Sequence, residues 1–255
     1  MKSIINGFMI AVSMYSKIPM PKIEWSKQNM KYALCFFPAI GLVIGALLYG
    51  WREVCFTCGF EQTCFALVGT VIPIIITGGI HMDGFMDTAD ALHSYEKKEK
   101  KLEILKDPHV GAFAVIAAIG YFLLYGAGLT LIRKRNQLLL LGLSFIISRV
   151  LSGMSLVWFP IAQKDGMLYS FSSAAHKRTV RVVLVILLAL CFIGSILIHP
   201  IIGAVMALAA MWVWTYYFYM SKKQFGGITG DLAGYFLCLC ELSSALIIGC
   251  IGRVM

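Results

Sequence analysis

The sequence predicts an all-α fold: a polytopic membrane helical bundle of about seven transmembrane helices, preceded by a short N-terminal interfacial arm. Three observations carry that expectation. Hydrophobic residues make up 59% of the chain and charged ones 14%, with mean hydropathy +0.81, more apolar than a water-soluble core requires. The apolar runs reach the length of about 20 residues that crosses a bilayer. The basic residues fall between these runs, as they do in a multi-pass protein, so the net charge of +9 reflects membrane topology and excludes nucleic acid as a partner. No repeat or soluble domain interrupts the pattern, and residues 1–255 read as one integral membrane domain.

In chain order, residues 4–15 are apolar but short, and Lys17, Pro19, Pro21, Lys22, Lys27 and Lys31 follow at once. This arm is expected at the membrane interface or packed on the bundle. No small-residue cleavage site follows it, so no removable signal peptide is expected. The spans fall at about 32–51, 62–80, 111–132, 137–158, 182–198, 201–220 and 232–251. Counting lysine and arginine on each side of this arrangement puts sixteen on one face and five on the other, which makes the first cytoplasmic. Arg133, Lys134 and Arg135 run against the count. The reading is a multi-pass protein of the cell membrane whose active site, on polar loops at about 81–110, 159–181 and 221–231, faces the cytoplasm. Cys35, Cys191, Cys238, Cys240 and Cys250 lie in apolar stretches, and Cys55, Cys58 and Cys64 lack the nearby His or second Cys pair of a zinc site, so free thiols are expected.

The segment from Gly78 to Asp107 holds seven of the thirteen acidic residues, and its pattern points to chemistry. Asp83, Asp87 and Asp90 recur at i, i+4, i+7, which places three carboxylates within a wedge of about 60° on one helix face. Like charges so spaced destabilise a helix unless a cation sits between them, and oxygen ligands suit Mg²⁺ or Mn²⁺. The simpler alternative is a solvated helix start with acids near its positive end. Further on, Pro108 can open the next helix with Asp107 at its N-cap, and a ligand role competes with that one. Lys177 and Arg178, beside His176 and Arg181, serve either as a topological anchor or as a grip on a phosphate-bearing substrate. Gly227, Thr229 and Gly230 precede Asp231 at the entry to the last span, where exposed backbone N–H groups suit a phosphate. Arg149 and Glu241 lie at nearly the same depth inside two spans, where a lone charge costs about 2.5–3.5 kcal/mol, so they are expected to pair or to line a substrate cavity. The aromatic run from Trp212 to Tyr219 reads as an interfacial belt.

Three segments together resemble the cobalamin synthase family, the adenosylcobinamide-GDP ribazoletransferases: Gly78 to Leu92 (GGIHMDGFMDTADAL), Lys106 to Phe113 (KDPHVGAF), and Gly226 to Asp231 (GGITGD) followed by Glu241. The chain departs from the family pattern at Ala91, where Gly is frequent, and at His109, where Arg is frequent. The resemblance implies a phosphoryl transfer: adenosylcobinamide-GDP passes its corrinoid phosphate to α-ribazole or α-ribazole 5′-phosphate, releasing GMP. It also implies Mg²⁺, with Mn²⁺ able to substitute. Asp83, Asp87 and Asp90 are then the metal ligands, and Asp231 is a further ligand or the base, with His81 as a second candidate base. Gly227, Thr229 and Gly230 would contact phosphate. Asp107, Arg149, Glu241, Lys177 and Arg178 complete the candidate substrate-binding set. The expected partners are these small molecules and the lipid bilayer, with a homo-oligomer admitted. Two rival readings are a lipid head-group phosphotransferase of the CDP-alcohol type and a metal-ion carrier. The first lacks its full Asp-Gly…Ala-Arg…Gly…Asp…Asp pattern here, and the second would spread acids over several spans.

Overall fold

The computed structural model describes residues 2–254, and the regular elements among them are helices: α1 Lys2–Tyr15, α2 Lys27–Met30, α3 Ala33–Cys58, α4 Gln62–Thr77, α5 Ile80–His93, α6 Lys98–Ile104, α7 Ala112–Leu131, α8 Arg135–Trp158, α9 Gly166–Ala174, α10 Lys177–Ile198, α11 Pro200–Phe225 and α12 Gly230–Val254. Six of them, α3, α7, α8, α10, α11 and α12, are long and apolar enough to cross a bilayer. The one remaining expected span, 62–80, is α4, which with α5 forms a single apolar passage broken by a 97° bend. Gly78 and Gly79 make that break, with φ of 66° and 82° in the left-handed region where only glycine is unstrained. We read α4 as the span and α5 as a helix turned along the polar end of the bundle.

Helix α8 is the axis, enclosed on nearly all sides. It meets α3 through glycines that let the backbones touch: a Cβ on Gly41 would collide with the Phe145 carbonyl, and one on Gly45 would lie 2.8 Å from Gly142 Cα. Close approach through small residues is how membrane helices gain packing without a hydrophobic drive. Inside this core the two buried charges pair. Arg149 Nη1 donates to Glu241 Oε1 at 2.5 Å and to the Phe145 carbonyl at 3.0 Å, and Ser148 Oγ donates to the same carboxylate at 3.3 Å.

The N-terminal arm packs on the bundle. α1 buries Gly7, Ile10, Ala11 and Val12, stacks Tyr15 on Phe37 at 4.0 Å, and continues so that the Lys17 N–H donates to the Ile76 carbonyl at the end of α4. Several boundaries differ from the sequence reading. α3 runs on past residue 51 through Arg52 and Glu53 to a left-handed Gly59 cap, because charged residues can continue a helix beyond the hydrocarbon. α11 continues to Phe225, and α10 starts at Lys177, which makes Lys177 and Arg178 first-turn residues instead of loop. All eight cysteines are free.

Candidate active site

The three expected polar loops converge on one end of the bundle. Their meeting is set by main-chain contacts: the Ile228 N–H donates to the Pro160 carbonyl (2.8 Å) and the Ala162 N–H to the Ile228 carbonyl (3.0 Å), forming an isolated parallel bridge. Gly227 allows this approach, since a Cβ there would stand 2.6 Å from the Pro160 oxygen. It is buried and its N–H is spent on the Ser221 carbonyl, so the phosphate contact expected of it is replaced by a structural one. Thr229 also has a local task, since its hydroxyl accepts from the Leu232 N–H and caps α12. Gly230, first in α12, is exposed, and its N–H has no acceptor among the described residues.

Helix α5 lies directly against the start of α12. Two glycines, one on each helix, make the seam: a Cβ on Gly84 would sit 2.6 Å from Asp231 Cα, and one on Gly234 would sit 2.7 Å from the His81 carbonyl. The sequence therefore brings Asp83 and Asp87 to one side of the seam and Asp231 to the other. Together with burial, the charges of Asp83, Asp231 and Asp90 push Asp87 up to about 6, the penalty of holding like charges in a partly dry place. Among the described residues no three acid, His or Cys side chains already close on a common point.

Asp90 sits on the expected wedge, yet both its oxygens are occupied. The Gly111 N–H donates to Oδ2 (2.7 Å) and the Ala114 N–H to Oδ1 (2.9 Å), so a carboxylate from α5 satisfies the free amides at the start of α7. Gly111 makes room for it, because a Cβ there would lie 2.5 Å from both oxygens. This corrects the cap expected at Asp107. α7 begins at Ala112, and Asp107 instead accepts from the His109 N–H (2.9 Å) and ring Nδ1 (2.6 Å) in an exposed turn. Asp107 stands apart from the carboxylate seam.

A cavity of about 220 Å³ opens at the seam, and His81, Asp83, Gly230 and Asp231 line it. Desolvation, reinforced by the Arg149 charge, holds the His81 imidazole well below its ordinary range. The remaining wall is mostly apolar and comes from elements the sequence reading did not connect to the site: Tyr15 of α1, Phe37 of α3, Leu156 of α8 and Phe171 of α9, with Ser152 of α8 as a polar exception. No local pattern marks these residues, because only the packing of distant segments gathers them. Arg149 and Glu241 take the paired alternative and are absent from the cavity wall. Lys177 and Arg178 are exposed at the start of α10, outside the cavity and without an ion pair among the described residues. Two unforeseen lysines stand near the glycine segment: Lys98 reaches Gly226, and buried Lys101 donates to Gln224 Oε1 at 2.7 Å, at the negative end of α11.

Comparison with known proteins gives one consistent result. The family model described as cobalamin-5-phosphate synthase matches residues 7–249. An adenosylcobinamide-GDP ribazoletransferase of Lachnoclostridium phytofermentans is 45% identical over 242 residues, covering 95% of this chain and 92% of that one. A protein of the same name from Clostridium perfringens is 35% identical over 255 residues, covering 98% and 100%. One from Geobacillus kaustophilus is 31% identical over 245 residues, covering 92% and 91%. No solved structure matches the chain.

Proposed function

Because this chain belongs to the cobalamin-5-phosphate synthase family, we propose that it completes cobalamin by one direct displacement at phosphorus, carried out at the α5–α12 seam with a divalent cation. It is a multi-pass membrane transferase of cobalamin synthesis, joining adenosylcobinamide-GDP to α-ribazole or its 5′-phosphate with release of GMP. The observation that carries the mechanistic reading is that Asp83 and Asp231, from opposite sides of the glycine seam, line one cavity together with His81.

The donor set fits Mg²⁺, or Mn²⁺ in its place. It offers oxygen only, from carboxylates on two helices, and their repulsion is of the kind a hard cation relieves. Asp83, Asp87 and Asp231 would hold the ion, and when bound it neutralises the charge of the pyrophosphate. Asp90 positions α5 against α7 through its two amide bonds. The acceptor's ribose hydroxyl forms the new P–O bond as the bond to GMP breaks. A carboxylate oxygen of the cluster not spent on the ion receives the hydroxyl proton, and the Gly230 N–H, at the positive end of α12, is free for the phosphate oxygens. With its pKa held low, His81 is a poor proton acceptor, so a carboxylate of the cluster and not His81 takes the proton. Among the described residues no Ser, Cys or His is arranged as an activated nucleophile, so the transfer proceeds with inversion and without a phosphoryl-enzyme. The lysine and arginine count supports a site on the cytoplasmic side.

The test is GMP release from adenosylcobinamide-GDP and α-ribazole by the purified protein. Activity should require a divalent cation, and Asp83→Asn or Asp87→Asn should abolish turnover while the protein still inserts and purifies. Undiminished turnover in chelator, or near-normal rates in both variants, would overturn the cation assignment.

A further inference from the structure

The cavity has a polarity gradient that the reaction alone does not explain. At its mouth Asp83 and Gly230 are exposed, whereas its inner wall, Phe37, Leu156, Phe171 and Leu237, is buried. The aromatic rings there form a chain of contacts: Tyr15 stacks on Phe37 at 4.0 Å, Phe171 lies tilted 5.8 Å from Tyr15, and Phe37 meets His81 edge-on at 6.0 Å. Three polar groups lie along this wall, the Ser152 and Tyr15 hydroxyls and the His81 ring, and none has a hydrogen-bond partner among the described residues.

Two bases compete for such a space. Guanine, carried by the donor, presents a whole edge of N–H and C=O groups, each of which loses binding if buried without a partner. The base of α-ribazole is a benzimidazole bearing two methyl groups, whose outer edge needs no partner and whose free ring nitrogen accepts a single hydrogen bond. A largely apolar wall with a few donors matches the second better than the first. Resting on the transferase reading above, we propose that this cavity is the binding site of the acceptor's aromatic base, with the dimethyl edge against Phe37, Leu156, Phe171 and Leu237, and the ring nitrogen at Ser152 or His81. The ribose then points to the mouth, where Asp83 and Asp231 lie. The guanine of the donor binds outside the cavity.

The experiment uses the intact protein in detergent and GMP release as readout. With the unaltered protein, the α-riboside of benzimidazole lacking both methyls should show kcat/KM lower by about 10-fold or more than α-ribazole, the discrimination one apolar group commands in a fitted pocket. Leu168→Gln, on the short helix α9 that lines the cavity from outside the bundle, should raise the KM for α-ribazole by about 10-fold and leave the KM for adenosylcobinamide-GDP within about 2-fold. Equal kcat/KM for the methylated and unmethylated acceptors would overturn the assignment, as would a Leu168→Gln effect confined to adenosylcobinamide-GDP. These outcomes leave the transferase reading standing. No GMP release with any acceptor would overturn that reading and the base site with it.

Discussion

Replacing Gly84 by alanine tests the seam on which the site depends. The added Cβ would stand 2.6 Å from Asp231 Cα and 2.7 Å from its carbonyl oxygen, both backbone atoms that cannot rotate aside. A carbon pair rests at about 3.5–4.0 Å, so α5 and α12 must part by about 1 Å. Overpacking of this kind costs about 1–3 kcal/mol, and the better helix propensity of alanine returns up to about 1 kcal/mol, which leaves a net loss of about 0–3 kcal/mol. Catalysis responds differently, because a displacement of about 1 Å between reacting groups costs on the order of 100-fold in rate. The expected phenotype is therefore a folded protein with turnover down about 100-fold, measured as GMP release at saturating substrates beside thermal unfolding in detergent. Gly120→Ala is the control, since nothing lies within 4 Å of a Cβ there, and it should leave both quantities unchanged. Parental turnover in stably folded Gly84→Ala protein would refute the argument that the glycine contact positions Asp231.

Three more outcomes are expected. Since burial and like charges lift Asp87 from 3.8 to about 6, the folded protein without cation binds more protons than the unfolded chain between those values, and stability must fall as pH rises across that window. Melting curves in chelator should show that fall, Asp87→Asn should flatten it and added Mg²⁺ should reverse it; a fall that persists unchanged in Asp87→Asn would contradict the assignment. Glu241→Leu strands the buried Arg149 charge and should destabilise by about 3–5 kcal/mol, while Arg149→Met with Glu241→Leu recovers most of the loss; a single variant as stable as the parent in denaturation would show that the pair contributes nothing. On a cysteine-free background, Glu99→Cys should resist an impermeant thiol reagent in intact cells and Lys134→Cys should react, and the reverse labelling would invert the proposed orientation.

What the sequence discloses depends on how local the cause is. Asp83, Asp87 and Asp90 were legible as one face because helical period is local, and the Arg149–Glu241 pair because depth can be counted from the span ends. The Gly78–Gly79 bend was not foreseen within the span expected at 62–80, although the residues that make it were in plain view; apolar composition continues across it and hides the turn. Capping was misplaced for a different reason. Asp107 precedes Pro108 and satisfies the local rule, yet Asp90 reaches the free amides of α7 from another helix, and tertiary geometry decides which carboxylate arrives. Gly227 shows the same limit: its type signals close backbone approach, but only the fold reveals that the approaching group is the Pro160 carbonyl. Tyr15, Phe37 and Phe171 meet across more than half the chain, and no spacing rule could have joined them.

The buried ion pair also orders the birth of the protein. Arg149 and Glu241 are 92 residues apart, and α12 leaves the ribosome well after α8. At about 5–20 residues per second, Arg149 waits roughly 5–20 s in the bilayer without its counter-charge. During that interval α8 carries the cost of a lone arginine at mid-depth and depends on its own Phe145 carbonyl and Ser148 hydroxyl for solvation. The helix that relieves it also brings Asp231 to the glycine seam. Closure of the bundle and completion of the carboxylate cluster are thus one event in time, and a nascent chain stalled before α12 leaves the membrane-quality machinery an exposed charge to recognise.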